Sequence, residues 1–417
     1  MKATQDAAIP STAARANPWR GRRISHRSGF WAVAAAFLVA TSFTVVTTPL
    51  WSIYQERDHF STFMVTVAFA SYAVGVLISL FLAGHVSDWM GRRTIMLPAV
   101  LLEALAAVGF LFWNDLPGLI VARLVTGLGL GMFTATATAH IAELHSQAHP
   151  DRGGARADIV ATAANIGGFG IGVFATSLLV QFAPAPLSTP YVVFLVLLLL
   201  AASAIALTPE TVSPPAEPRR YRPQRVQIPA AARTRYFAAA AIAFAAFAVL
   251  GLFTSLAPSF ISDQLHYSAP LVAGTVVLVT FASAAGLQIG VRRLSLTAGV
   301  VTGVALYVAG FAAIITAVST ATLALFLIGG ALAGGAAGIL FSTAISAAGE
   351  AAMVGHRGEA LAGIFLSAYA GLAVPVVGLG AATLVLSMLA ALSAFSVAVV
   401  AIAIIGAAVF ITHPVQG

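Results

Sequence analysis

The sequence predicts an all-α polytopic membrane protein with twelve transmembrane helices in two pseudo-symmetric six-helix bundles. Three observations predict it. Of 417 residues, 59% are hydrophobic and only 8% charged, against about a quarter charged in an ordinary soluble protein. Apolar runs of roughly 20 residues, enough at 1.5 Å per residue to cross about 30 Å of hydrocarbon, recur along nearly the whole chain without the alternation of a β-barrel. The runs also fall into two sets of six, separated by a stretch rich in proline and arginine that has no apolar period.

In chain order, residues 1–29 form a polar tail carrying Lys2, Arg15, Arg20, Arg22, Arg23 and Arg27. The first apolar run is longer than a signal-peptide core and many more follow, so it reads as a retained helix and not a cleaved signal. The expected spans of the first bundle, residues 30–208, are 30–53, 63–85, 94–113, 118–142, 159–182 and 190–208. Residues 209–235 form the linker. The second bundle, residues 236–412, is expected to span at 236–261, 269–291, 296–318, 322–348, 358–380 and 383–411, ahead of a short tail at 413–417.

This topology puts all the lysines and arginines except Arg57 and Arg123 on one side: the N-terminal tail, Arg92 and Arg93, Arg152 and Arg156, the linker, Arg292 and Arg293, and Arg357. The positive-inside rule makes that side cytoplasmic, with both termini inside and the chain in the plasma (inner) membrane. The net charge of +7 therefore reflects topology and not a nucleic-acid partner. The absence of cysteine excludes disulfides, thiol nucleophiles and cysteine-held iron–sulfur clusters.

The halves echo one another. Gly127 and Gly131 in the fourth span are matched by Gly330, Gly334 and Gly338 in the tenth, all at four-residue spacing, and Gly168 and Gly172 repeat it in the fifth. Small residues so spaced let helices approach closely in lipid, and matching positions in both halves suggest an internal repeat, although glycine is also simply common in membrane helices.

The densest group of charges is the hairpin Gly84-His85-Val86-Ser87-Asp88-Trp89-Met90-Gly91-Arg92-Arg93 between the second and third spans. Gly84 and Gly91 permit a tight turn, and Arg92 and Arg93 hold it in the cytoplasm. Asp88 at the membrane edge is costly unless paired, so it is expected to bond Arg92 or helix N-terminal amides; the alternative is a solvated turn. The pattern Gly-x-x-x-Asp-x-x-Gly-Arg-Arg, placed between the second and third of twelve helices, resembles the signature loop of the major facilitator superfamily. Arg123-x-x-x-Gly127 is similar to that family's second motif, and Pro209-Glu210-Thr211 closes the sixth span as it often does there. The resemblance covers the whole chain. It implies a cytoplasmic gate made of Gly84, Asp88, Gly91, Arg92, Arg93 and Glu143, latching to the ends of the fourth and eleventh helices and breaking as the halves rock inward. There are departures: Trp89 stands where the family commonly has a basic residue, and the second half keeps only Gly290, Arg292 and Arg293 of a degenerate copy. The run Asn165-Ile166-Gly167-Gly168-Phe169-Gly170-Ile171-Gly172 is glycine-rich like the family's antiporter motif but lacks its Gly-Pro pair.

Two intramembrane charges are candidates for proton coupling. Arg123 either faces the interior and a polar partner or snorkels to the outer interface. Glu103 lies near the middle of the third span. A carboxyl in hydrocarbon favours its protonated form and could carry a proton, or it could sit inertly bonded to a neighbour. Candidate substrate-cavity residues, on helices that line the centre in this fold, are Thr48 and Tyr54 (with Thr47, around the kinking Pro49), Thr134, Thr138, His140, Asn165, Ser255, Gln288, Ser342 (with Thr343) and Tyr369; each alone could be a packing group. Together they describe a cavity of mixed polarity without strong fixed charge, suited to neutral or amphiphilic solutes.

The cluster His140, Glu143, His145 and His149 lacks the spacing of a zinc-peptidase helix, so no metal is expected. With no Walker loop, dinucleotide fingerprint or nucleophile elbow, neither an enzyme nor an ATP-driven pump is indicated, and no cofactor is expected beyond a transmembrane proton gradient. The expected function is a secondary transporter of small molecules working by alternating access, exporting neutral or amphiphilic compounds. The alternatives are uptake of a sugar or similar nutrient and, from another class, a polytopic membrane enzyme or sensor. Its partners are the lipid bilayer and a small-molecule substrate, and a monomer already contains both halves.

Overall fold

Every described segment long and apolar enough to cross a bilayer is a helix, because in hydrocarbon a backbone must satisfy its own hydrogen bonds. The computed structural model describes residues 23–83, 86–151, 153–212, 228–291, 294–352 and 357–413. Twelve candidate spans lie among them: α1 His26–Asp58, α2 Thr62–Leu82, α3 Arg92–Phe112, α4 Leu116–Ala148, α5 Ala155–Phe182, α6 Thr189–Leu207, α7 Ala230–Ser255, α8 Pro270–Gly290, α9 Leu296–Ser319, α10 Leu323–Ala351, α11 Ala360–Ala382 and α12 Met388–Thr412. Sequence and structure agree on the number and order of spans. They differ at ends that leave the hydrocarbon: α4 and α5 run on past the expected boundaries at 142 and 159, and α7 begins inside the expected linker.

Two expected continuous spans are broken near the end opposite the arginines. In α1 the helix His26–Phe43 gives way to a turn and a 3-10 segment, Thr48–Leu50, before Trp51–Asp58 resumes. In α7 the break at Leu256 precedes a short helix, Ala257–Asp263. Pro49 and Pro258 sit at these breaks, since a proline removes an amide donor and clashes with the preceding turn. The two breaks occupy equivalent places in the two halves and meet: the Thr48 hydroxyl donates to the Thr254 carbonyl at 2.7 Å.

Within each half, glycine sets the packing. A Cβ on Gly127 would run into the Tyr72 carbonyl of α2, and one on Gly334 would run into the Thr280 carbonyl of α8. The pairs α2–α4 and α8–α10 are thus equivalent close contacts, one in each half, as small-residue packing requires.

Contacts between the halves gather at the arginine-poor end. Besides Thr48 with Thr254, the Leu271 amide donates to Gln181 Oε1 at 3.2 Å, and a Cβ on Gly380 of α11 would stand 3.0 Å from that of Thr66 in α2. Phe169 of α5 packs on Phe281 of α8, ring centroids 5.6 Å apart, near the middle. Further toward the arginine-rich end Gly167 of α5 and Gly286 and Gly290 of α8 face open space, nothing lying within 4 Å of a Cβ built on them.

Candidate functional site

The α2–α3 turn carries the structure's densest polar node. Ser87–Met90 form a single helical turn, and Gly91, at φ 102°, swings the chain into α3. No L side chain adopts that φ without strain, and a Cβ at this glycine would also come within 2.8 Å of Glu210 Oε2. Glu210 is close for a reason. Its carboxylate accepts from the free amides that open α3, Arg92 N at 2.8 Å and Arg93 N at 3.0 Å. An anion at a helix N-terminus satisfies orphan donors and the helix dipole together.

Arg92, the first residue of α3, is buried to 7% exposure. Its guanidinium spends its donors on three partners: Nη1 to Asp88 Oδ1 at 2.6 Å, Nη1 to Ser87 Oγ at 2.8 Å, and Nη2 to Glu143 Oε1 at 2.8 Å. The Nε also reaches Glu143, 3.2 Å from Oε2. The Thr211 hydroxyl donates to the same carboxylate, and the Pro209 carbonyl lies 3.1 Å from His140 Nε2. One cation, two carboxylates and a capping carboxylate thus tie together the α2–α3 turn, α3, the end of α4 and the exit of α6. Only such a planar, many-donor group can bridge two acids at fixed angles.

The arrangement brings Asp88, Gly91, Arg92, Arg93 and Glu143 together as sequence places them, while Gly84 lies outside the described residues. All described partners of Arg92 belong to the first half, and the expected latch to the eleventh helix has no counterpart among the described residues. Glu210, Thr211 and Ser87 join the site without being expected there. Span counting puts Glu210 in the linker because it stops where apolarity stops; its position three residues beyond α6, in Pro209-Glu210-Thr211, is the available signal. In the second half a simpler counterpart stands at the same end, Arg235 pairing with Glu350 at 3.8 Å and lying 4.5 Å from the Phe410 ring centroid.

Arg123 does not snorkel. It is 2% exposed, donates through Nη1 to the Thr44 carbonyl, and stacks over Tyr72 and Phe69 at 4.5 and 5.4 Å from their centroids. The break in α1 supplies that carbonyl, because a backbone that stops being helical at Thr44 leaves acceptors free. Glu103 is fully buried, and neither of its oxygens has a hydrogen-bond partner among the described residues. It packs under Gly129 of α4, inside one bundle.

The cavity candidates separate. Tyr54 is a packing residue, its hydroxyl donating to Tyr191 at 3.1 Å. His140 is buried against Pro209, and Ser255 bonds back to the Gly251 carbonyl at 2.7 Å. Thr138 is exposed and bonds back to Thr134 at 2.8 Å. Thr48 belongs to the junction of the two breaks. The Ser255 and Thr138 hydroxyls thus satisfy themselves on the preceding turn, whereas His140 Nδ1 has no partner among the described residues. Tyr369 is buried with its ring 5.7 Å from Phe247, and Ser342 is half-buried beside buried Thr343. Thr134 Oγ1, Asn165 Oδ1 and Gln288 Oε1 are buried polar atoms with no partner among the described residues. Buried polar atoms are rarely left so, and by that measure Thr134, Asn165 and Gln288 stand out together with His140, whose Nδ1 is likewise unpartnered.

Residues 32–375 match the sequence model of the Major Facilitator Superfamily. The chain is similar to the arabinose-proton symporter of Bacillus subtilis (strain 168), 35% identical over 83 residues, a stretch covering 20% of this chain and 18% of that protein. The chain thus spans under a fifth of the length of that relative. Among solved structures it superposes on the human organic anion transporter MFSD10 (TETRAN) with a TM-score of 0.69 at 14% identity, covering 93% of this chain and all of that one. The nucleoside transporter NupG gives the same TM-score at 10% identity over 92% of this chain and 99% of that one. At such identities the likeness is one of fold.

Proposed function

Because the chain belongs to the Major Facilitator Superfamily, and so is a membrane transporter, we propose that it moves a neutral or amphiphilic solute by proton-coupled alternating access, in the direction of export. The observation that carries the reading of the cargo is the set Thr134, Asn165 and Gln288. It offers unused hydroxyl and amide groups on both halves with no fixed charge among them, which favours hydrogen-bonding solutes over phosphates or dicarboxylates. With the arginine-rich end cytoplasmic, the junction at the other end closes the outside, and the conformation is inward-facing. Arg123 and Glu103 are the candidates for coupling.

Purified protein in proteoliposomes, given a pH gradient of either sign, tests this: a neutral amphiphile is expected to move against the proton flux. Absence of movement across a chemically broad panel would sink the proposal.

A second reading, proton-coupled uptake of a sugar, is favoured by the local similarity to the arabinose-proton symporter. The same vesicles decide between them, since cargo moving with the proton flux selects uptake. Growth of a deletion strain on single carbon sources, beside its sensitivity to a compound panel, gives the corresponding answer in cells.

A further inference from the structure

Where α1, α4 and α5 reach the arginine-rich end, they leave a shallow crevice lined by Arg27, Phe30, Trp31, His145, His149 and Arg156. It lies within the first half, apart from both the Arg92 node and the cavity candidates. Two guanidinium groups and two imidazoles line it, and no carboxylate does. The enclosed cavity is only about 10 Å³, so a headgroup seats at its mouth, between the exposed Arg27 and Arg156.

His145 makes this more than a basic patch. It is 4% exposed, held between the rings of Phe30 and His149 at 5.5 and 5.2 Å. Its Nε2 is buried without a hydrogen-bond partner among the described residues. Buried ring nitrogens are normally satisfied, so the crevice holds a polar group in want of an oxygen. Beside it Arg156 lies over the Trp31 ring, 5.6 Å from the centroid. Trp31 is 50% exposed, and Ile159, one turn deeper on the same face of α5 as Arg156, is 40% exposed. A half-exposed indole and an apolar strip leading away from two arginines describe a site open sideways to the bilayer, at the depth where headgroup meets acyl chain.

We propose that the mouth of this crevice binds the phosphate of an anionic phospholipid, Arg27 and Arg156 taking the phosphate oxygens in front of the buried His145, and the acyl chains running past Trp31 and Ile159. The lateral opening favours a lipid over free phosphate, which needs no apolar exit.

Native mass spectrometry of the full chain, extracted from nanodiscs containing phosphatidylglycerol and phosphatidylcholine, tests it. The wild type is expected to retain one phosphatidylglycerol in preference to phosphatidylcholine. The double variant Arg27→Gln/Arg156→Gln, altered only at exposed positions, is expected to lose that preference by roughly tenfold or more. Arg57→Gln/Arg233→Gln removes equal charge elsewhere and is expected to keep it. Equal retention of both lipids by the wild type, or unchanged retention by the double variant, overturns the proposal. Displacement of the bound lipid by inorganic phosphate at equal headgroup concentration overturns it too, by assigning the site to a soluble anion.

Discussion

At Gly91 a single hydrogen in place of a side chain decides whether the node can close. Its φ of 102° and the 2.8 Å from a Cβ to Glu210 Oε2 are independent penalties, so Gly91→Ala is expected to cost about 1–3 kcal/mol and to lower the unfolding temperature in detergent. Glu210→Ala leaves two α3 amides uncapped and should cost about 1 kcal/mol. Glu210→Gln, which keeps an acceptor but not the charge, should recover part of that in the same thermal scan. Arg92→Lys is the sharper test of the node, because a lysine cannot hold Asp88 and Glu143 at once. A loss of about 1–3 kcal/mol is expected after allowing for the partial exposure of Glu143, whereas a surface ion pair would lose nothing measurable. The pairing of Arg92 with Glu143 was legible in the sequence, since both charges stand at the same membrane edge with little else to bond. Glu210 was not legible as their partner: capping depends on where a chain turns back, and apolarity says nothing of that.

At the scale of the helix, two physical signals differ in how well they carry. Hydrophobic length gave every span, because the bilayer sets one thickness for all of them. The interruptions of α1 and α7 were harder to read. Pro49 could be seen to kink its helix, but that the breaks in both halves meet at Thr48 and Thr254 is a property of tertiary placement. The same limit applies to the cavity candidates: a threonine or serine in an apolar run looks the same whether it faces a lumen or bonds to its own preceding turn, as Ser255 and Thr138 do. Glycine pairs were legible, and they predict a paired outcome. Gly127→Leu and Gly334→Leu should each push a helix off its neighbour, and overpacking of about 1–3 kcal/mol is expected for both. The folded yield and thermal stability of the two variants in detergent are expected to fall together, since each glycine occupies the same place in its half.

At the scale of the whole molecule, the two halves meet at the arginine-poor end, and the alternating access proposed above requires that junction to open. Absence of native cysteine makes that junction easy to trap. Thr66→Cys/Gly380→Cys places two Cβ atoms 3.0 Å apart, slightly inside the usual span of a disulfide. Oxidation is expected to crosslink the pair and stop transport, and reduction to restore it; full activity in the oxidised, crosslinked protein would show that this end need not open. The two-bundle plan was legible from the spacing of the spans, while which end is closed depends on contacts between distant helices. One feature of the first bundle reaches beyond motion. Arg123 sits in the apolar interior on a carbonyl and two aromatic faces, with no carboxylate bonded to it among the described residues, and a guanidinium keeps its charge in a protein. A permanent positive charge at that depth raises the electrostatic barrier for sodium, potassium or hydronium ions slipping through the protein. Arg123→Gln is therefore expected to let a proton or potassium gradient across proteoliposomes decay faster than the wild type does.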